Sequence, residues 1–107
     1  MVDQLEPEEV ARLMKDPSAK VLLLDVREDD ERAAARIEPS LHIPMGRLVH
    51  RASEIPRDRR IVVYCHMGGR SQMVASFLAG HGHPDVANLV GGIDEWSQKV
   101  DPAIPRY

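Results

Sequence analysis

The chain carries one cysteine, Cys65, inside the run Tyr64-Cys65-His66-Met67-Gly68-Gly69-Arg70-Ser71. The β-branched residues Ile61-Val62-Val63 lead into it, two glycines follow it, and an apolar stripe at helical spacing begins just after. That order predicts a strand, a tight loop and a helix. In open parallel sheets, reactive groups sit at the carboxyl ends of strands, which is where Cys65 would lie. Successive N–H groups in such a loop form an anion-binding concavity. The helix after it points its positive end at the same place. A thiol held there is acidified, because only the thiolate gains from those donors. Gly68 and Gly69 permit the backbone conformations a cradle needs. Arg70 would set a fixed positive charge near the rim, and Ser71 offers a helix cap or a hydroxyl behind the thiol. A cysteine at a strand end can also be plain packing, and a glycine pair a simple turn. It is the succession of all these features that points to a nucleophile.

The elements that would position the loop follow from patterning. Val21–Val26 and Ile61–Cys65 are near-continuous apolar runs, as expected of parallel strands covered on both faces. Pro7 suits a first helical turn, with Glu8 and Glu9 favourable at its positive end. Val10, Leu13 and Met14 recur at helical spacing, and Lys15–Ser18 ends that element. A second helix is expected over Asp29–Ile37, stopped before Pro39. Leu41–Pro44 reads as a short strand, and Gly46–Ile55 has helical spacing closed by Pro56. Arg70–Ala79 places Met73, Val74, Phe77 and Leu78 on one stripe, with Gly80 as a C-terminal cap. Val86–Val90 reads as another strand, and Gly91-Gly92 turns into a short helix around Trp96, a core anchor. Asp101–Tyr107 is expected to be an extended tail. Strands alternating with helices predict an α/β fold with a mainly parallel sheet. At 107 residues, one domain over residues 1–107 is expected, its core running from about residue 5 to residue 100.

Composition removes several classes of function. Fourteen basic against seventeen acidic residues leave a net charge of −3, which argues against a nucleic-acid binder. No apolar run approaches the roughly 18 residues of a membrane span. The stretch from Met1 to Glu9 is acidic and polar, unlike a secretory signal, so a cytoplasmic protein is expected. A single cysteine allows neither an internal disulfide nor a cysteine-rich zinc site. His81 and His83 lack further ligands nearby in sequence, and no metal or cofactor is expected.

The loop Tyr64–Ser71 resembles the active-site loop of single-domain rhodaneses, the thiosulfate sulfurtransferase family. Three further segments resemble the same family in order: Val21–Arg27, His42–Gly46 and Asn88–Trp96. The resemblance implies a five-stranded parallel sheet with helices on both faces. It also implies a cycle in which Cys65 takes a sulfane sulfur from a donor such as thiosulfate and holds it as a persulfide. A thiol or cyanide would then remove that sulfur. His66, Met67, Gly68, Gly69, Arg70 and Ser71 would bind the substrate, Arg70 attracting the anionic donor. Four residues separate Cys65 from Arg70, one fewer than in related phosphatases, and the tighter loop suits a single sulfur atom. Asp25, at the end of the neighbouring strand, would organise the loop through hydrogen bonds, or would only cap the helix that follows. Arg27 would reach the rim or pair at the surface with Glu28, Asp29 or Asp30. The alternative function is a sulfur relay, taking persulfide from one partner protein and passing it to another.

Overall fold

The computed structural model describes residues 2–107; Met1, which opens the acidic N-terminal stretch, lies outside them. The elements in chain order are β1 (Asp3–Leu5), α1 (Pro7–Met14), β2 (Val21–Asp25), α2 (Asp29–Ala34), β3 (Leu41–His42), α3 (Leu48–Arg51), β4 (Arg60–Tyr64), α4 (Gly69–Gly80), β5 (Val86–Leu89) and α5 (Gly92–Lys99). The strands form one sheet in the order β1-β5-β4-β2-β3, every pair parallel. This is the α/β architecture expected, with five strands.

Side chains alternate across a strand, and here the alternation sorts the core into two layers. Leu24, Val26, Ile61, Val63 and Cys65 face α3 and α4, packing with Leu48, Val74, Ala75 and Leu78. Leu23, Val62, Tyr64, Ala87 and Leu89 face the other way, against Val10, Ile93 and Trp96 from α1 and α5. Cys65 and Tyr64 are adjacent in sequence and therefore lie on opposite faces of the sheet. Chain connections move from β2 to β3 on one side and from β4 to β5 on the other. The crevice between the ends of β2 and β4 is thus the switch point of the sheet, and Cys65 follows β4 there.

Several boundaries differ from expectation for local reasons. The polar segment Asp3–Leu5 forms an edge strand against β5, although its sequence carries little strand signal. The second helix stops at Ala34 instead of running to Ile37. The Arg27 guanidinium takes the carbonyls of Glu31 and Ala35, and Ile37 is drawn into the core beneath Tyr64, whose hydroxyl accepts its N–H. Residues 45–54 form two 3₁₀ turns flanking the single turn of α3, not one helix. In α4 the buried stripe is Ser71, Val74, Ala75 and Leu78, at i, i+3, i+4 and i+7, so Met73 falls to one side and is 66% exposed. Its C-terminal turn is closed by Gly82 at φ +91°, with His83 N–H bonded to the Leu78 carbonyl and Gly82 N–H to that of Ala79, while Gly80 stays helical. The last seven residues turn at Asp101–Ile104 and fold back, instead of extending away.

Candidate active site

The site is built on the β4–α4 connection. Gly68 takes φ +113°, a conformation open mainly to glycine, and α4 begins immediately after it. That reversal turns N–H groups inward. The Cys65 Sγ accepts from Gly68 N–H at 3.1 Å and from Ser71 N–H at 3.3 Å. The outward carbonyls are tied down from the far side, where Ile93 N–H bonds the Cys65 carbonyl and Asp94 N–H that of His66. The first turn of α5 therefore fixes the orientation of the loop peptides. The approach is close: a Cβ on Gly92, at φ +59°, would stand 2.5 Å from the Cys65 oxygen and 2.4 Å from that of His66. Gly69, in contrast, is an ordinary helical residue, and a Cβ there would meet nothing within 4 Å. Only the first glycine of the pair supplies the special backbone conformation.

Cys65 is 1% exposed. Burial pushes its thiol up, but hydrogen bonds from the Ser71 hydroxyl and from the N–H groups of Ser71, Gly68 and Met67 outweigh it, leaving the thiol below its ordinary value. The Ser71 hydroxyl has one proton and two neighbours, Cys65 Sγ at 3.3 Å and Asn88 Oδ1 at 2.6 Å. The shorter contact competes for that proton, so the hydroxyl is shared between Asn88 and the sulfur, beside the two backbone N–H groups. Asn88 is held in turn by donating to Gln4 Oε1 at 3.0 Å, which carries the support of the thiol out to edge strand β1. Asn88 opens the segment Asn88–Trp96 singled out in the sequence, but nothing in its local pattern gives it a place behind the thiol.

The remaining expected residues divide between two places. Met67 is 66% exposed beside the loop. The His66 ring stacks on Tyr107, centroids 4.3 Å apart and planes 19° from parallel. Arg70 does not stand free at the rim: its two terminal nitrogens bind the Glu31 carboxylate at 2.6 and 2.9 Å. Glu31 also accepts from the Tyr107 hydroxyl at 2.9 Å, and that hydroxyl accepts from Arg27 Nη1 at 2.8 Å. The Arg70 hydrogen bond, offset in part by burial, holds the Glu31 carboxyl down at about 2. Glu31 and Tyr107 were not among the residues expected at the site. An acid on the helix after β2 and an aromatic in the tail become significant only once the fold brings them together.

Asp25 belongs to a different arrangement. It pairs in register with Tyr64 and so shares Tyr64's face of the sheet, opposite to Cys65. Its carboxylate bonds Arg27 N–H, Arg27 Nε and Nη2, Arg32 Nη1 and the Tyr64 hydroxyl. None of its partners lies in residues 65–71, so the expected hydrogen bonds to the loop are replaced by bonds to the neighbouring arginines. Arg27, expected near the surface, is fully buried. No group of His, Cys, Asp and Glu suited to a metal ion occurs among the described residues, and no helix there is long and apolar enough to cross a membrane.

Together these features define an α/β protein with a thiol seated in an anion cradle at the switch point of a parallel sheet. The sequence matches the family model of the rhodanese-like domain over residues 6–99, and the chain belongs to that family. It is 36% identical over 104 residues to a sulfurtransferase of Allochromatium vinosum, covering 97% of this chain and 96% of that protein. It is 36% identical over 86 residues to the putative sulfur carrier protein YrkF of Bacillus subtilis, covering 80% of this chain and 46% of that one. The fold superposes on the crystal structure of a rhodanese-related protein from Thermoplasma volcanium with a TM-score of 0.85, at 26% identity, over 98% of this chain and 99% of the other.

Proposed function

We propose that the protein transfers sulfane sulfur through a persulfide on Cys65. The observation that carries this reading is the seat of the thiol: backbone N–H groups of Gly68 and Ser71 converge on Sγ at the N-terminus of a twelve-residue helix. Such a seat favours an anionic sulfur and gives nothing to a neutral thiol. In the loading step the Cys65 thiolate attacks the outer sulfur of thiosulfate. The S–S bond of the donor breaks, sulfite leaves with the electron pair, and the enzyme retains a persulfide anion. In the second step a thiolate or cyanide attacks the outer sulfur and restores the Cys65 thiolate, a two-stage covalent exchange. The chain has no second cysteine, so this acceptor comes from outside.

A second reading, a relay that receives persulfide from one protein and passes it to another, is favoured by the similarity to a protein named as a putative sulfur carrier. Both readings use the same cysteine and differ in the donor. Incubation with thiosulfate should raise the intact mass by one sulfur, about 32 Da, which cyanide removes and Cys65→Ser never gains. Loading from a persulfidated protein but not from thiosulfate would select the relay. Loading from neither would overturn sulfur transfer altogether.

A further inference from the structure

The rim of the cradle carries a charge balance that bears on the choice of donor. Arg70, the natural cation for an anionic donor, has both terminal nitrogens committed to Glu31. Glu31 is locked from the other side by the Tyr107 hydroxyl, itself anchored on Arg27. Nearby, Asp94 at the start of α5 is paired with Arg106. A donor approaching the loop therefore meets ion pairs instead of an open guanidinium. The attraction that remains comes from the loop N–H dipoles, which act at short range and do not reward a second negative charge on the donor. Beside the pairs, the rim offers apolar surface: Met67 is 66% exposed and the Tyr107 ring lies over His66.

From this geometry, and resting on the sulfur-transfer reading above, we infer that Glu31 is a specificity-determining residue that disfavours the small dianion thiosulfate relative to singly charged organic sulfane donors. Its carboxylate cancels the charge that would reward the second negative charge of thiosulfate, and the apolar rim accommodates an organic substituent. A thiosulfonate represents the favoured class. The Cys65 thiolate attacks its terminal sulfur, the S–S bond breaks, a sulfinate leaves with the electron pair, and the same persulfide forms.

The test compares kcat/KM for thiosulfate and for methanethiosulfonate, with cyanide as acceptor, in the wild type, Glu31→Gln and Glu31→Asp. Glu31→Gln should shift the ratio about five-fold toward thiosulfate at low ionic strength, on the order of one unit charge acting across a protein surface. That shift should largely vanish in about 0.5 M salt. Glu31→Asp, which keeps the charge, should hold the wild-type ratio. A ratio indifferent to the charge at position 31, or equal losses for both donors in both variants, would overturn the proposal and leave Glu31 merely holding Arg70 in place. If the wild type turns over neither donor, the small-molecule form of the sulfur-transfer reading fails first and the specificity role falls with it.

Discussion

Two polar regions occupy the ends of adjacent strands, and they differ in what their hydrogen bonds hold. At the end of β2, Arg27 spends all of its guanidinium N–H groups on Asp25, Glu31, Ala35 and Tyr107, and Asp25 is ringed by Arg27, Arg32 and Tyr64. Both residues are fully buried, and their charges cancel within the group. At the end of β4, one thiol collects two backbone N–H groups at the positive end of a helix. A closed network of this kind serves the fold, because nothing is left over for a ligand. A cradle whose donors converge on one thiol serves chemistry, because they favour that sulfur as an anion. The face of the sheet separates them: Asp25 and Tyr64 point one way and Cys65 the other.

The comparison predicts that damage to the two regions will look different. The largest functional effect is expected from Gly92→Ala, whose Cβ would press on the carbonyls of Cys65 and His66 at 2.5 and 2.4 Å and dislodge the loop. Sulfur loading should be lost, while Gly69→Ala, with open space around its Cβ, should load normally and change stability by less than about 0.5 kcal/mol. If the two alanines behave alike, the cradle geometry is not what matters. Asp25→Ala leaves the buried Arg27 without its carboxylate and should cost about 3–5 kcal/mol in denaturant unfolding. The fraction that remains folded should still take up sulfur, since Asp25 has no bond to residues 65–71; loss of loading in folded protein would join the two regions functionally.

Acid should weaken the network and its neighbour Glu31 together. Both carboxyls titrate lower in the folded chain than their ordinary values of 3.8 and 4.5, Asp25 because hydrogen bonds and charge from Arg27 outweigh its burial, Glu31 down to about 2. The stability they contribute is therefore complete above about pH 4.5 and is lost as the pH falls toward 2. Thermal unfolding followed across that range should show the melting temperature falling with acidity, and the fall should shrink in Glu31→Gln. The smallest effect is expected from Ser71→Ala. Because its hydroxyl is shared between Cys65 Sγ and Asn88 Oδ1, removing it should raise the thiol's titration midpoint by only about half a unit. A larger rise would show that the hydroxyl, not the backbone, supports the thiolate.

Much of the scaffold was legible because its signals are local. Continuous apolar runs marked β2 and β4, the Gly-Gly turn before Trp96 marked α5, and the strand–Cys–glycine–helix order located the cradle. What escaped depends on long-range neighbours. Asp3–Leu5 is polar and becomes a strand only because β5 has a free edge there. Arg27 reads as a surface charge in any local window, and its burial requires Asp25 beneath it and Tyr107 arriving from 80 residues away. Arg70 reads as a free cation until α2 delivers Glu31 beside it. The preference of Gly68 over Gly69 for the left-handed conformation reflects where α4 starts, which the pair alone leaves open.

The fold favours the anionic form of Cys65, and titration of the thiolate absorbance near 240 nm tests this. With one cysteine in the chain, Cys65→Ser provides the baseline that removes tyrosine and backbone contributions. The native midpoint should lie below that of the same protein unfolded in denaturant, because the donors to sulfur outweigh the cost of its burial. A native midpoint at or above the unfolded one would mean that burial prevails, that the loop stabilises no charge on sulfur, and that Cys65 is packing and not a nucleophile.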